Sequence, residues 1–191
     1  MTRVVAGLAL VALGSGACTD DGGSDGTGPD GGSPAGASAT ERTVETRVSF
    51  GVLTGRLPSD ARQRLSSQVG AVVDGWIDAA YVGGDYPRRD FSDAWPGFTA
   101  GAQQEAHHDR ALMSNEDVGD RIDGVELHKS TVKLDVLAVK QHPVGVTARV
   151  FVGFRTTGDV EREVRVRGRL FLTHTDRGWR VFGYDVTKGD A

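Results

Sequence analysis

Residues 131–154 read TVKLDVLAVKQHPVGVTARVFVGF, and the alternation in that stretch decides the fold. Val132, Leu134, Val136 and Ala138 alternate with polar Thr131, Lys133 and Asp135. A period of two puts the aliphatic side chains on one face of a strand and leaves the other face to water. Pro143-Val144-Gly145 is expected to turn the chain, after which Ala148, Val150, Val152 and Phe154 repeat the pattern. Gly158-Asp159 predicts a second turn. Val164, Val166, Gly168, Leu170 and Leu172 then form a third strand, with Arg165, Arg167 and Arg169 on its opposite face. Asp176-Arg177-Gly178 predicts a hairpin leading into Trp179-Arg180-Val181-Phe182. Consecutive strands joined by short turns imply an antiparallel meander.

Upstream the period is helical. Leu57-Pro58-Ser59-Asp60 predicts a helix start, with Asp60 as the cap and Gln63 three residues on, as in a capping box. Leu65, Val69, Val72, Val73, Trp76, Ile77, Ala80 and Tyr81 share one face of that helix, and Gly83-Gly84 ends it. The segment from Asp85 to Phe98 is aromatic and irregular. A second helix is expected from near Thr99 through Leu112-Met113, and a short strand at 44–53 comes before both helices. No internal repeat is present. The order of elements predicts an α+β domain whose helices pack in a curved antiparallel sheet.

The N-terminus is organised for export. Arg3 and the free amine precede ten uncharged residues, Val4 to Leu13, and then the small residues Gly14 to Ala17. That is the layout of a cleaved signal, and it falls short of the ~20 apolar residues that span a bilayer. Cys18 follows directly and is the single cysteine of the chain, so an internal disulfide is excluded. Its thiol at a new N-terminus is placed to carry a lipid. Ser15-Gly16-Ala17-Cys18 resembles the bacterial lipoprotein signal, although Ser15 stands where that signal usually has an aliphatic residue. The same three small residues also suit ordinary signal cleavage, which leaves the thiol unmodified. Thr19 to Thr40 has seven glycines, four aspartates and no aliphatic residue larger than alanine, too little apolar surface to fold. As a flexible coil it would reach roughly 25 Å. The domains expected are a signal at 1–17, a lipidated Cys and linker at 18–40, and a folded domain at 41–191. The expected location is the extracytoplasmic face of the cell membrane, through a lipid anchor such as palmitate.

The folded region is nearly neutral, with 21 Lys and Arg against 22 Asp and Glu from residue 41 onward. Its first part is acidic and its last part basic, yet neither interleaves aromatic with basic residues as a nucleic-acid platform would. No nucleic-acid partner is expected.

From about Glu41 to Lys188 the sequence resembles the nuclear transport factor 2-like superfamily. The resemblance is carried by the first helix ending at Tyr81-Val82-Gly83-Gly84 and by the hairpin from Leu170 to Tyr184 with Gly178-Trp179-Arg180-Val181 at its turn. Trp95-Pro96-Gly97-Phe98-Thr99 and Ala111-Leu112-Met113-Ser114-Asn115 are similar to stretches of actinobacterial lipoproteins in that group. The resemblance implies a cone of sheet wrapped around helices, with the last strand near the middle of the sheet and a pocket inside. Trp76, Tyr81, Tyr86, Trp95, Phe98, Phe151 and Tyr184 could line that pocket, although aromatic residues of this kind are more often simply core.

The chemistry legible in the chain is sparse. Members of that superfamily that act as isomerases use a carboxylate base, and Asp85, Tyr86 and Asp90 lie in the corresponding region, but a loop with Asp and Pro needs no catalytic reason. His107 and His108 are adjacent, so on a helix they diverge by about 100° and do not chelate one ion as an i, i+4 pair would. His128, His142 and His174 are scattered. No catalytic residue, metal site or cofactor is therefore assigned. Arg165, Arg167 and Arg169 could gather an anion or a lipid headgroup, or else be neutralised across strands by Glu161, Glu163 or Asp135. The expected function is an envelope lipoprotein that binds a small apolar ligand or a protein partner without catalysis. The alternative is a cyclase- or isomerase-like enzyme using an Asp or His inside the cone.

Overall fold

A computed structural model describes residues 44–191, and the expected signal, Cys18 and the expected linker lie outside the described residues. The elements are β1 (Arg47–Thr54), α1 (Ser59–Ile77), α2 (Ala100–His108), α3 (Arg110–Met113), β2 (Ile122–Val139), β3 (His142–Gly158), β4 (Arg162–Thr175) and β5 (Gly178–Asp190), with a π-helical turn at Asp78–Val82 continuing α1. The domain is α+β, with a five-stranded sheet in the order β1-β2-β3-β4-β5.

The alternation seen in the sequence sets the register. Val132 faces Val150, Leu134 faces Ala148, and Val150 in turn faces Gly168 while Val152 faces Val166. The aliphatic members of these pairs are buried against the helices. Three expectations about the sheet need correction. The sheet is mixed, because β1 runs parallel to β2. The helices intervene between these two strands, and a crossover of that length returns the chain in the same direction. The last strand, β5, sits at an edge instead of the middle. The first hairpin turns at Lys140-Gln141, both at positive φ (49° and 68°), so Pro143 falls inside β3 opposite Ala138. A two-residue turn of this hand matches the strand twist but normally announces itself with Asn or Gly. Here the local signal two residues later was the louder one, and Val144 is the extra residue of a bulge.

Pro58, not Asp60, stands at the N-cap of α1, without a side-chain cap. Its fixed φ suits a helix start, and Asp60 instead pairs with Arg64 at 2.9 Å. Leu65, Val69, Val73, Trp76 and Ile77 bury the face predicted for them. The second helix is broken at Asp109 into α2, capped by Thr99 accepting from the Ala102 N–H, and the single turn α3.

Candidate binding surface

The inner face of the sheet is filled, and the reason is visible at the end of α3. The last carbonyls of a helix have no intrahelical partner and must find donors elsewhere. Lys188 Nζ donates to Ala111 O (3.0 Å) and Ser114 O (2.7 Å), and Tyr81 Oη to Leu112 O (2.8 Å). The indole N–H groups of Trp76 and Trp95 both reach Met113 O at 3.2 Å. Four side chains from α1, its π turn, the aromatic loop and β5 therefore converge on one helical turn. The π turn frees carbonyls of its own. Tyr81 O accepts from Tyr86 Oη (2.8 Å) and Asn115 Nδ2 (3.0 Å), and Ala79 O accepts from Arg88 (2.8 Å).

These bonds place the aromatics singled out in the sequence. Trp76, Tyr81, Trp95 and Phe98 are buried, with Trp76 edge-on to Tyr81 at 5.5 Å and Tyr81 against Phe154 at 5.6 Å. Their polar atoms are engaged with backbone. Tyr184, half-buried beside Phe98, donates its hydroxyl to Asp109 Oδ2 at 2.9 Å. Burial first, and then the Asp109 carboxylate, push its phenol far above the usual tyrosine value. Phe151 lies on the other face of the sheet, under the Lys129 ammonium at 4.8 Å. Asp85 and Asp90 are exposed loop residues. His107 packs edge-on to Trp95 at 6.0 Å beside a shallow surface hollow, and His108 is exposed. Among the described residues no three His, Cys, Asp or Glu side chains cluster as metal ligands would.

Lys188 is the group that sequence reasoning passed over. Its side chain is 5% exposed and sits 2.7 Å from Asp117, which also holds Arg162 at 3.3 Å. Burial lowers its pKa, and the Asp117 carboxylate works against that shift. All three of its protons have acceptors. The only sequence signal was a lysine at an even spacing from Tyr184 and Val186 on the inner face.

The outer face is different. Among the described residues the large hydrophobics that remain exposed are Val52, Leu137, Val139, Val144 and Phe182. All five belong to the end of the sheet where the β2–β3 hairpin turns. Val52, Leu137, Phe171 and Phe182 wall an open groove of about 350 Å³, floored by the strands between them. Phe171 and Phe182 pack on each other at 6.4 Å, the latter pushed outward by the bulge in β5. Asp135 edges the groove. Its carboxylate accepts from the Val52 N–H (2.8 Å) and from Arg149 (2.8 Å), and these contacts hold it below the usual carboxylate value against the opposing effect of burial.

Beyond the groove the outer face is cationic. Arg165, Arg167 and Arg169 are all exposed on it. Arg169 is paired with Asp185, a neutralising partner the sequence reading did not name, whereas Glu161 pairs with Arg155 and Asp135 with Arg149. Compared with protein-family models, with curated proteins and with solved structures, the chain matches none of them.

Proposed function

We propose that this chain is a lipid-anchored protein of the cell envelope whose folded domain, of the nuclear transport factor 2-like kind, binds a protein partner through the outer sheet face and carries out no chemistry. The anchor rests on the small-residue site before Cys18 and on the unfoldable linker after it. The domain reading is supported by helices on one face of a sheet of long, bulged strands, since bulges bend the strands that carry them. Among the described residues no helix is long and apolar enough to cross a membrane.

One observation carries the binding reading: among the described residues three of the five exposed large hydrophobics, Val52, Leu137 and Phe182, line one groove. A site for a small apolar ligand encloses most of its guest. This groove lies open along the sheet, a shape suited to one anchoring side chain whose surroundings exclude water. The cyclase- or isomerase-like alternative needs a free acid or base facing an interior cavity, and among the described residues the deeply buried ammonium, Lys188, is saturated.

Two experiments test the two halves. Cells given labelled palmitate should label the wild-type chain and not Cys18→Ser, and equal label in both refutes the anchor. A photo-crosslinking residue placed at Leu137 should give a discrete protein adduct that Phe182→Asp removes, while the same residue at Gln104 gives none. No adduct at 137, or the same adduct at both positions, refutes docking at the groove.

A further inference from the structure

We infer that the partner seated in the groove is an acidic polypeptide segment, read by the cations that lead along β4 to the groove wall. The inference rests on the docking reading above and names the chemistry of its partner. Besides Arg155, which Glu161 holds, six cations occupy the outer face of β2, β3 and β4: Lys129, Lys133, Arg149, Arg165, Arg167 and Arg169. The carboxylates on that face are Asp135, Asp185, Glu163 and, opposite Arg155, Glu126. Asp135 is held by Arg149, Asp185 by Arg169, and Glu163 lies 3.7 Å from the His128 imidazole. Among the described residues no carboxylate comes within 4.0 Å of Lys133, Arg165 or Arg167.

The register sharpens the point. Lys133 stands opposite Arg149, and Arg149 opposite Arg169, so three cations lie side by side across three strands. Like charges directly opposite one another destabilise a sheet, and an acid in any of these positions would have relieved it. Arg167 lies between Phe151 and Thr187, and Arg165 between Gly153 and Gly189, with no acid in either row. Along β4, Arg165, Arg167, Arg169 and Phe171 recur at every second residue, a step of about 7 Å. An extended partner with an apolar side chain in the groove and carboxylates at alternate positions matches that step. Carboxylates pair with guanidinium forks in bidentate geometry. The groove between Val52, Leu137 and Phe182 is concave, a shape that receives one side chain of a polypeptide, and this favours a polypeptide over a bilayer surface.

The test uses the full chain with the crosslinking residue at position 137. Arg165→Glu together with Arg167→Glu should reduce the protein adduct at least tenfold. Arg165→Lys with Arg167→Lys should keep most of it, and thermal melting should be unchanged in both because the side chains are exposed. An undiminished adduct in the glutamate variant overturns the acidic partner while leaving docking at the groove intact. Absence of any adduct in the parent chain overturns both. In a parallel arm the Cys18→Ser chain is sedimented with phosphatidylcholine vesicles with and without phosphatidylglycerol. Binding to the anionic vesicles that the same glutamate pair abolishes would assign the face to a lipid surface and overturn the proposal.

Discussion

At Lys188 an ammonium group has exchanged water for two carbonyls and a carboxylate, and the exchange holds α3 against β5. Replacing it by methionine keeps the aliphatic stem but strands Ala111 O and Ser114 O without a donor, and leaves Asp117 to Arg162 alone. Hydrogen bonds from a charged group contribute about 1.5–3 kcal/mol, and unmet buried acceptors add their desolvation. Lys188→Met is therefore expected to cost about 2–4 kcal/mol, read as a lower urea midpoint with an unchanged slope. A second residue is dictated by backbone and space together, since Gly168 holds φ 154°. A Cβ on Gly168 would lie 2.1 Å from Asp185 O and 2.6 Å from Val186 Cα, both backbone atoms of the adjoining strand. Neither can move without opening the β4–β5 ladder. Gly168→Ala should destabilise the domain by about 2–4 kcal/mol, among the larger losses seen for single substitutions. A wild-type midpoint would show that the strands are further apart than described.

The hairpins are where element-scale predictions belong. Lys140 and Gln141 both hold positive φ without being glycine, a conformation costing roughly 1–2 kcal/mol per residue. Lys140→Asn with Gln141→Gly supplies the residues such a turn favours, and should raise stability by about 1 kcal/mol, or about 3 °C in melting temperature. A loss would mean that the turn is of another type. In the last hairpin Gly178 takes φ 88° after Asp176-Arg177, and Trp179 is buried against the core with His174 edge-on at 5.4 Å. Trp179→Ala should cost about 3–5 kcal/mol, and Arg177→Ala, exposed at the turn, almost nothing. Equal small losses would refute the burial of the indole. The strands of this meander were legible because alternation reports burial, and α1 because a 3.6-residue period does. The first turn was not, because Lys140 and Gln141 adopt their backbone through the pull of the paired strands and not by local preference. Nor was the groove: Val52, Leu137 and Phe182 each look unremarkable in sequence, and only pairing of β1 with β2 and the β5 bulge brings them to one place. The carbonyls of α3 could not be anticipated either, since a backbone acceptor leaves no mark in the side-chain pattern.

For the molecule as a whole the phenols set the response to alkali. Burial raises the pKa of Tyr81, Tyr86 and Tyr184 above the ordinary 10.0. Above that pH the unfolded chain loses phenolic protons that the folded chain retains, so stability falls as pH rises. Lys188 acts in the opposite sense. Its folded pKa is lowered, so below 10.5 the unfolded chain holds a proton the folded one can release, and rising pH there favours the fold. With three groups against one, the urea midpoint is expected to drop steeply above about pH 10. Tyr184→Phe should make that drop shallower. A flat midpoint from about pH 8 to 11 would place the phenols in water.

The parallel strand β1 also imposes a sequence of events on assembly. The Thr46 hydroxyl meets that of Ser130 across 84 positions of chain, whereas β2 and β3 need only a two-residue turn to find each other. Hairpins close in about 1–10 μs, while closing a loop of that length is slower and entropically dearer. β1, made before β2, is thus seated after the hairpin, and until then the β2 edge that it covers is bare and open to mispairing with another copy. In pulsed hydrogen exchange during refolding, amides of the β2–β3 hairpin should gain protection before the Val48 and Phe50 amides do.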